Sequence, residues 1–330
     1  MFLGLDIGYG QTKISYGDQY TPPVNEVFPS GAARLELCDQ GAAADGAGSM
    51  PFGVEVLVDG VAYGSLADPD QMASGMNVLH AGYVASNEYR ALYYGALSRI
   101  RGDVIHHLVT GVPVSDFKDK EKLAGLRSRL LGKHTIQRGR TVDVRKVSIL
   151  PQATGAFLSH IDRQPLGYGK QDSLLVIDFG HYSVDWVLFV SGNYREKVSR
   201  SLPHGGSVVI DNMKQLILEK HQGYQISPTR LFRYIRGGET RIDLSSTLSL
   251  DLEALKSEAS ALVAPKVMDN ILQTLRLEET QVNRVLVCGG STPFFIDYVR
   301  PAFKFADVEE IPSAVMANAV GFRLFAQKGS

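Results

Sequence analysis

Cysteine is scarce: Cys38 and Cys288 are the only two in 330 residues, and they stand far apart. That argues against a disulfide framework and against a thiolate metal site, which needs closely spaced ligands. An excess of either charge is missing as well, since 34 Lys and Arg face 35 Asp and Glu for a formal net charge of -1. A surface devoted to nucleic acid would be strongly basic, so direct nucleic-acid binding stays open only for a local patch. No apolar run approaches the roughly 20 residues of a membrane span. Met1 leads within a few residues into a polar turn, without the basic and then apolar segments of a signal peptide. These absences give the expectation of a cytoplasmic protein without a membrane partner.

What is present is ordinary globular composition, 44% hydrophobic and 21% charged, in a chain long enough for two domains. Short apolar runs bounded by Gly, Asp or Pro alternate with longer amphipathic stretches, the pattern of an α/β fold. Strands are expected at residues 2–5, 12–16, 104–110, 173–177, 184–190 and 284–287, and helices at 88–101, 118–131, 207–219, 252–275 and 313–327. Residues 38–50, rich in Gly, Ala and Asp, show neither period and read as a mobile loop.

The informative feature is an internal repeat. Residues 3–16 (LGLDIGYGQTKISY) and 175–188 (LVIDFGHYSVDWVL) share one plan: an apolar strand, Asp-x-Gly, a few turn residues, then a second strand. Asp6 matches Asp178 and Gly8 matches Gly180. Two copies of one strand-turn-strand unit, each opening its own half of the chain, predict a duplicated fold.

Such a turn has a definite chemical capacity. Glycines free to take positive φ let several backbone N–H groups converge on one anion, and Gly8 and Gly10 supply that freedom in the first copy. A carboxylate at the end of each strand would repel phosphate, so Asp6 and Asp178 make sense as holders of magnesium through water. Lys13 is near enough in sequence to neutralise a phosphate as a point charge. A plain structural turn explains one Asp-x-Gly hairpin equally well; the second copy favours the functional reading.

Three further segments fit a nucleotide protein. Residues 284–293 (RVLVCGGSTP) form an apolar strand stopping at Gly289, Gly290 and Ser291, where bare backbone can lie against a flat base. In residues 204–211 (HGGSVVID), Gly205 and Gly206 precede a helix whose N-terminus can face phosphate. Residues 151–157 (PQATGAF) and 313–322 (SAVMANAVGF) carry small residues, Ala153 and Ala156 in one and Ala317 and Gly321 in the other, that let two helices cross closely and act as a hinge. Each segment, taken alone, also reads as a tight turn or as core packing.

In order and spacing, from Leu3 to Phe322, these five segments resemble the phosphate-1, connect-1, phosphate-2, adenosine and connect-2 motifs of the actin, Hsp70 and sugar-kinase superfamily. Within it, residues 109–115 (VTGVPVS) and 149–153 (ILPQA) look like the ParM/StbA plasmid-segregation branch and its archaeal actin-like relatives. The resemblance implies an actin-like, ribonuclease H-like duplicated α/β fold of two domains with a nucleotide cleft between them. Domain I would comprise residues 1–162 plus 312–330, with an outer subdomain at about 22–90; domain II would comprise 163–311, with an outer subdomain at about 215–275. It implies an ATPase that uses ATP, or GTP, with Mg2+, polymerises with itself into filaments, and meets plasmid DNA through a DNA-bound adaptor protein.

Site roles follow by position. Asp6, Gly8, Tyr9, Gly10, Gln11, Thr12 and Lys13 would form the first phosphate loop, and Asp178, Gly180, His181, Tyr182 and Ser183 the second, with Asp178 organising magnesium. Gly205, Gly206, Gly289, Gly290 and Ser291 would complete the nucleotide site. Gln152 falls at the connect-1 position that orients attacking water; an amide is no base, so it would position water and stabilise charge. The second loop departs from the pattern, because His181 and Tyr182 stand where many relatives have small residues. They either point away from the nucleotide or slow hydrolysis, and His181 reads better as a packed or surface imidazole than as a base.

Two other functions share the fold. A small-molecule kinase needs a carboxylate at the acceptor hydroxyl, for which Asp116 is the best candidate, although an acid at a helix N-terminus explains it too. A nucleotide-dependent switch that does not polymerise is the other. Residues 118–146 carry ten Lys and Arg against three Asp and Glu, a face for an acidic protomer, an adaptor or DNA, or simply a solvated surface.

Overall fold

The computed structural model describes residues 1–38, 53–69, 72, 82–163, 172–221, 223–245 and 248–329. The loop expected at 38–50 lies, beyond Cys38, outside the described residues. The chain divides into two compact units, Met1–Pro165 with Val315–Ser330, and Leu166–Ala314.

The first unit is built on a hairpin of β1 (Phe2–Ile7) and β2 (Gln11–Gly17), extended antiparallel by β3 (Val24–Pro29). All six β1 residues are buried, as a strand covered on both faces must be. On the other side of β1 two parallel strands follow, β8 (His107–Val112) and then β11 (Val147–Pro151), so that the five-stranded order is β11-β8-β1-β2-β3. Between β3 and these strands come β4 (Gly31–Arg34), β5 (Val54–Val58) and β6 (Val61–Ala67), a small antiparallel sheet, and α1 (Asn87–Arg99), which packs on it. Ser86 caps α1 by accepting the Tyr89 amide at 3.0 Å. The chain continues through β7 (Val104–Ile105), β8 (His107–Val112), α2 (Val114–Phe117) and α3 (Lys120–Leu130). It then runs through β9 (Gly132–Gln137), β10 (Arg140–Val144), β11 (Val147–Pro151) and α4 (Thr154–Arg163).

The single strand expected at 104–110 is two strands in different sheets. β7 joins β10 and β9, while β8 enters the central sheet. The switch falls at His106, whose amide bonds the Met1 carbonyl at 2.9 Å. An unbroken apolar run carries no mark of which sheet each end joins. The helix expected from 313 begins as an α-helix only at Ala317, ending at Lys328, because Ser313 stands at φ 58° and a short 3-10 turn precedes it. This C-terminal helix lies directly on β1: a Cβ on Gly4 would sit 2.0 Å from the Ala319 carbonyl oxygen.

The second unit repeats the plan. Its hairpin is β12 (Ser173–Phe179) with β13 (Val184–Val190), and β13 is flanked by the short strands β14 (Asn193–Tyr194) and β15 (Arg200–Leu202). After α5 (Gly206–Lys220), α6 (Pro228–Gly237), the ribbon β16 (Arg241–Asp243) and β17 (Ser249–Asp251), and the long α7 (Leu252–Leu277), the chain returns as β18 (Arg284–Cys288). Then α8 (Ile296–Ala302) leads to β19 (Asp307–Glu310). β18 lies parallel to β12 and β19 parallel to β18, as β8 and β11 follow β1. The core here gathers Ile177, Phe179 and Trp186 from the hairpin with Val209, Met213, Val267 and Ile271 from α5 and α7. α6 shows its limits in sequence: Ser227 caps it, Pro228 opens it, and Gly238 at φ 73° stops it.

Candidate functional site

The two hairpins are closed by the same bond. The Gly8 amide donates to the Gln11 carbonyl at 3.0 Å, and the Gly180 amide to that of Ser183 at 2.9 Å. Neither glycine sits in the left-handed region, nor does Gly10, contrary to the expectation of positive φ for Gly8 and Gly10; what Gly8 and Gly180 require is room. A Cβ would stand 3.2 Å from the Gln11 oxygen in the first turn and 2.8 Å from the Ser183 oxygen in the second.

At the strand end of the first hairpin, Asp6 is paired in register with Lys13. Residues directly opposite on antiparallel strands share a face, so the two side chains meet: Lys13 Nζ donates to Asp6 Oδ2 at 3.0 Å. The carboxylate is 4% exposed and the ammonium 14%, so the contact is a shielded ion pair. The other Asp6 oxygen, Oδ1, accepts from Gln152 Nε2 at 3.4 Å, which brings together three residues distant in sequence. Gln152 is set by the end of β11, where its amide bonds the Val112 carbonyl at 2.8 Å and the next residue, Ala153, turns at φ 67°. Thr12 shares a bond of 2.9 Å with Ser30, tying β2 to the start of β4.

The second hairpin has a different charge at the matching position. Asp178 faces Asp185 in register, where the first copy has Asp6 and Lys13. Both carboxylates are buried. Ser183 Oγ donates to Asp185 Oδ2 at 2.5 Å, and the Ser201 hydroxyl donates to its Oδ1. Asp185 was missed by the sequence reading, although the repeat aligns it with Lys13 and an acid on an apolar strand is a signal by itself.

Around this hairpin the expected glycines gather. Gly289, at φ 98°, lies where a Cβ would be 2.3 Å from the Phe179 oxygen and 2.4 Å from Asp178 Oδ1. The Ser291 amide bonds the Phe179 carbonyl at 2.9 Å. Gly205, Gly206 and Ser207 donate their amides to the carbonyls of Tyr182, Gly180 and His181 at 2.9, 3.0 and 2.7 Å. The backbone at the start of α5 therefore braces the second hairpin. Gly206 also leaves space for Ser291, whose buried Oγ would be 2.2 Å from a Cβ there.

The helices expected to cross closely do so within the first unit. A Cβ on Gly321 would fall 1.7 Å from the Gly155 oxygen, and the Ala156 amide donates to Asn318 Oδ1 at 3.1 Å. The closest approach is Gly155 to Gly321; Ala153 stands outside the helix in the turn. Asp116 accepts from Lys122 Nζ at 2.7 Å, an ion pair within the α2–α3 region. Several bases of 118–146 are tied to structure: Arg129 bonds the Ala85 carbonyl, Arg140 those of Ser98 and Ile100, and Lys146 that of Gly329. Among the described residues no group of three or more His, Cys, Asp or Glu could hold a metal ion by itself. No described helix is long and apolar enough to cross a membrane.

The duplicated hairpin with its two parallel followers has known counterparts. Residues 4–155 match the N terminal domain of actin like proteins. Over its whole length the chain superposes on an archaeal actin homolog, Ta0583, with a TM-score of 0.75 at 22% identity, covering 100% of both chains. The chain has the actin-like fold. The same homolog in complex with ADP matches with a TM-score of 0.76 at 21% identity, over 99% of this chain and 100% of that one. A 15-stranded ParM filament from Clostridium botulinum gives a TM-score of 0.76 at 18% identity, over 99% and 98%. No curated protein matches the sequence of this actin-like chain.

Proposed function

We propose that this actin-like protein binds ATP with magnesium, hydrolyses it, and uses the nucleotide state to control its own assembly into cytoplasmic filaments that move plasmid DNA through a DNA-bound adaptor. The carrying observation is the pair of hairpins closed by the same glycine bond, each ending in a buried carboxylate, with Gln152 bonded to the first of them. Solved relatives include a homolog with ADP and a ParM filament, which supports nucleotide binding and self-assembly for this chain.

Residues 8–13 and 180–183 serve as the phosphate loops, with backbone N–H groups as the anion ligands. Lys13 offsets the Asp6 charge, so the first loop meets phosphate without a free carboxylate. The second hairpin holds two carboxylates and no basic residue in register, and it fits a divalent cation better. Asp178 would hold magnesium there, with Asp185 behind it, and the ion would neutralise charge on the phosphates. Gln152 orients the attacking water, and Asp6 holds the Gln152 amide in place. ATP is the substrate proposed; GTP uses the same phosphate contacts. Asp116, the candidate base of the kinase alternative, pairs with Lys122.

Light scattering and phosphate release, followed together after Mg-ATP is added, test the proposal. Scattering should rise above a threshold protein concentration, with filaments in negative stain, and should fall as phosphate is released. Phosphate release without polymer at any concentration would replace filament formation with a non-polymerising switch.

A further inference from the structure

The position after the turn glycine is the least expected feature of both hairpins. A loop that brings its backbone to phosphate gains from small side chains, yet the matching residues are Tyr9 and His181. In each unit the ring is turned onto another aromatic ring of the same unit. Tyr9 stacks on Tyr83 with centroids 4.2 Å apart and planes at 21°. Tyr83 is buried in the 3-10 turn that leads into α1, and it meets Tyr89 of α1 edge-on at 5.5 Å and 90°. His181 packs on Phe232 of α6 with centroids 4.8 Å apart and planes at 60°. Phe232 is buried, with the Arg236 guanidinium 5.8 Å from its ring centre.

One such contact would be ordinary packing. Two at matching positions, reached through different partners on unrelated helices, are a repeated solution to one problem. The turn residues themselves are half-buried, with Tyr9 lying against the edge of the first unit's core. The elements reached differ: the 3-10 turn of Tyr83 leads into α1, which carries the small sheet β4–β6, whereas α6 packs on α5, whose first amides brace the second hairpin.

We infer that Tyr9 and His181 are positioning residues, each fixing its hairpin to an outer helix of its own unit, so that phosphate occupancy of the loop and the placement of that helix are linked. This deepens the proposed nucleotide function and rests on it for the ligand, though the clamp itself exists without one. His181 acts through its ring face and not as an acid or base. An aromatic pair of this kind contributes a factor of roughly three to ten to an equilibrium, the effect each clamp should have on nucleotide affinity.

The test uses the full chain with Tyr9→Ala, Tyr9→Phe, His181→Ala and His181→Phe. Amide hydrogen exchange without nucleotide reads the clamp, and binding of a fluorescent ATP analogue with magnesium reads the linkage. Each Ala variant should speed exchange in its own hairpin, 8–12 or 180–183, and weaken nucleotide binding roughly three- to tenfold. The Phe variants should recover both, while the melting temperature without nucleotide stays close to wild type throughout. Unchanged exchange and affinity in the Ala variants, or loss of melting temperature with affinity unmoved, would overturn the inference and leave the rings as packing. His181→Phe failing where wild type binds would overturn the ring-face role of His181. Should the wild type bind no nucleotide, the proposed function fails; the exchange data alone then decide whether the clamps exist.

Discussion

At the residue scale, the proposed function gives Gln152 and Asp178 separable roles. Gln152 has no useful basicity, so its loss should leave ATP binding intact while kcat falls by about 100-fold, measured by phosphate release beside nucleotide titration. A Gln152→Ala protein that hydrolyses at the wild-type rate would remove it from the mechanism. Asp178→Asn keeps the size of the side chain but removes one of two facing carboxylates. Its magnesium requirement should rise at least tenfold in a metal titration of activity, whereas unaltered metal dependence would move the cation elsewhere. The repeat offers both Asp6 and Asp178 for metal, and the resemblance gives magnesium to Asp178. The register adds a physical distinction, because Lys13 stands opposite one and Asp185 opposite the other.

Elements decide stability through two contacts of the C-terminal helix. Gly321 lets that helix pass α4 with backbone against backbone. Gly321→Val should cost roughly 3 kcal/mol or more, because a carbonyl oxygen occupies the space the side chain needs, and thermal unfolding would show it. The sequence showed small residues at helical spacing in both segments, so a close crossing was legible. Which pair makes it was not, since Gly155 and Gly321 meet only once the C-terminal helix lies on β1 with α4 against it.

His107 is the second contact. The neutral ring donates from Nδ1 to the Ala326 carbonyl at 3.1 Å, and its Nε2 accepts from the Ser148 hydroxyl at 2.9 Å. Burial lowers its pKa below the ordinary value of 6.5, with the Ala326 bond opposing and Lys146 assisting. The folded pKa is depressed, so the unfolded chain binds the proton more readily. The stabilisation is present above the unfolded value and is lost as pH falls below about 6.5 toward the folded one. Melting temperature should drop with acidification over that window, and a His107→Gln variant should flatten the dependence attributable to this site.

For the whole molecule, filament formation is the property that single residues do not encode. A nucleated polymer has a threshold concentration, and that threshold should be lower with Mg-ATP than with Mg-ADP by tenfold or more, a ratio set by how differently the two nucleotides stabilise the polymerising state. Sedimentation at graded protein concentrations with each nucleotide measures both. Equal thresholds would separate nucleotide chemistry from assembly.

Repetition and period are local properties, and these the sequence determined by itself. The two Asp-x-Gly hairpins, the apolar strands that flank them and the strand stopping at Gly289 all follow from neighbours along the chain. The actin-like fold was legible because the chain states its central hairpin twice. Tertiary structure alone decided the rest. The split of residues 104–110 between two sheets, the Asp6–Lys13–Gln152 cluster and the contacts of Asp178 with Gly289 depend on strand partners far away in sequence. So do the rings on which Tyr9 and His181 rest. A residue's period fixes which face it takes, but what waits on that face is set by how the whole chain packs.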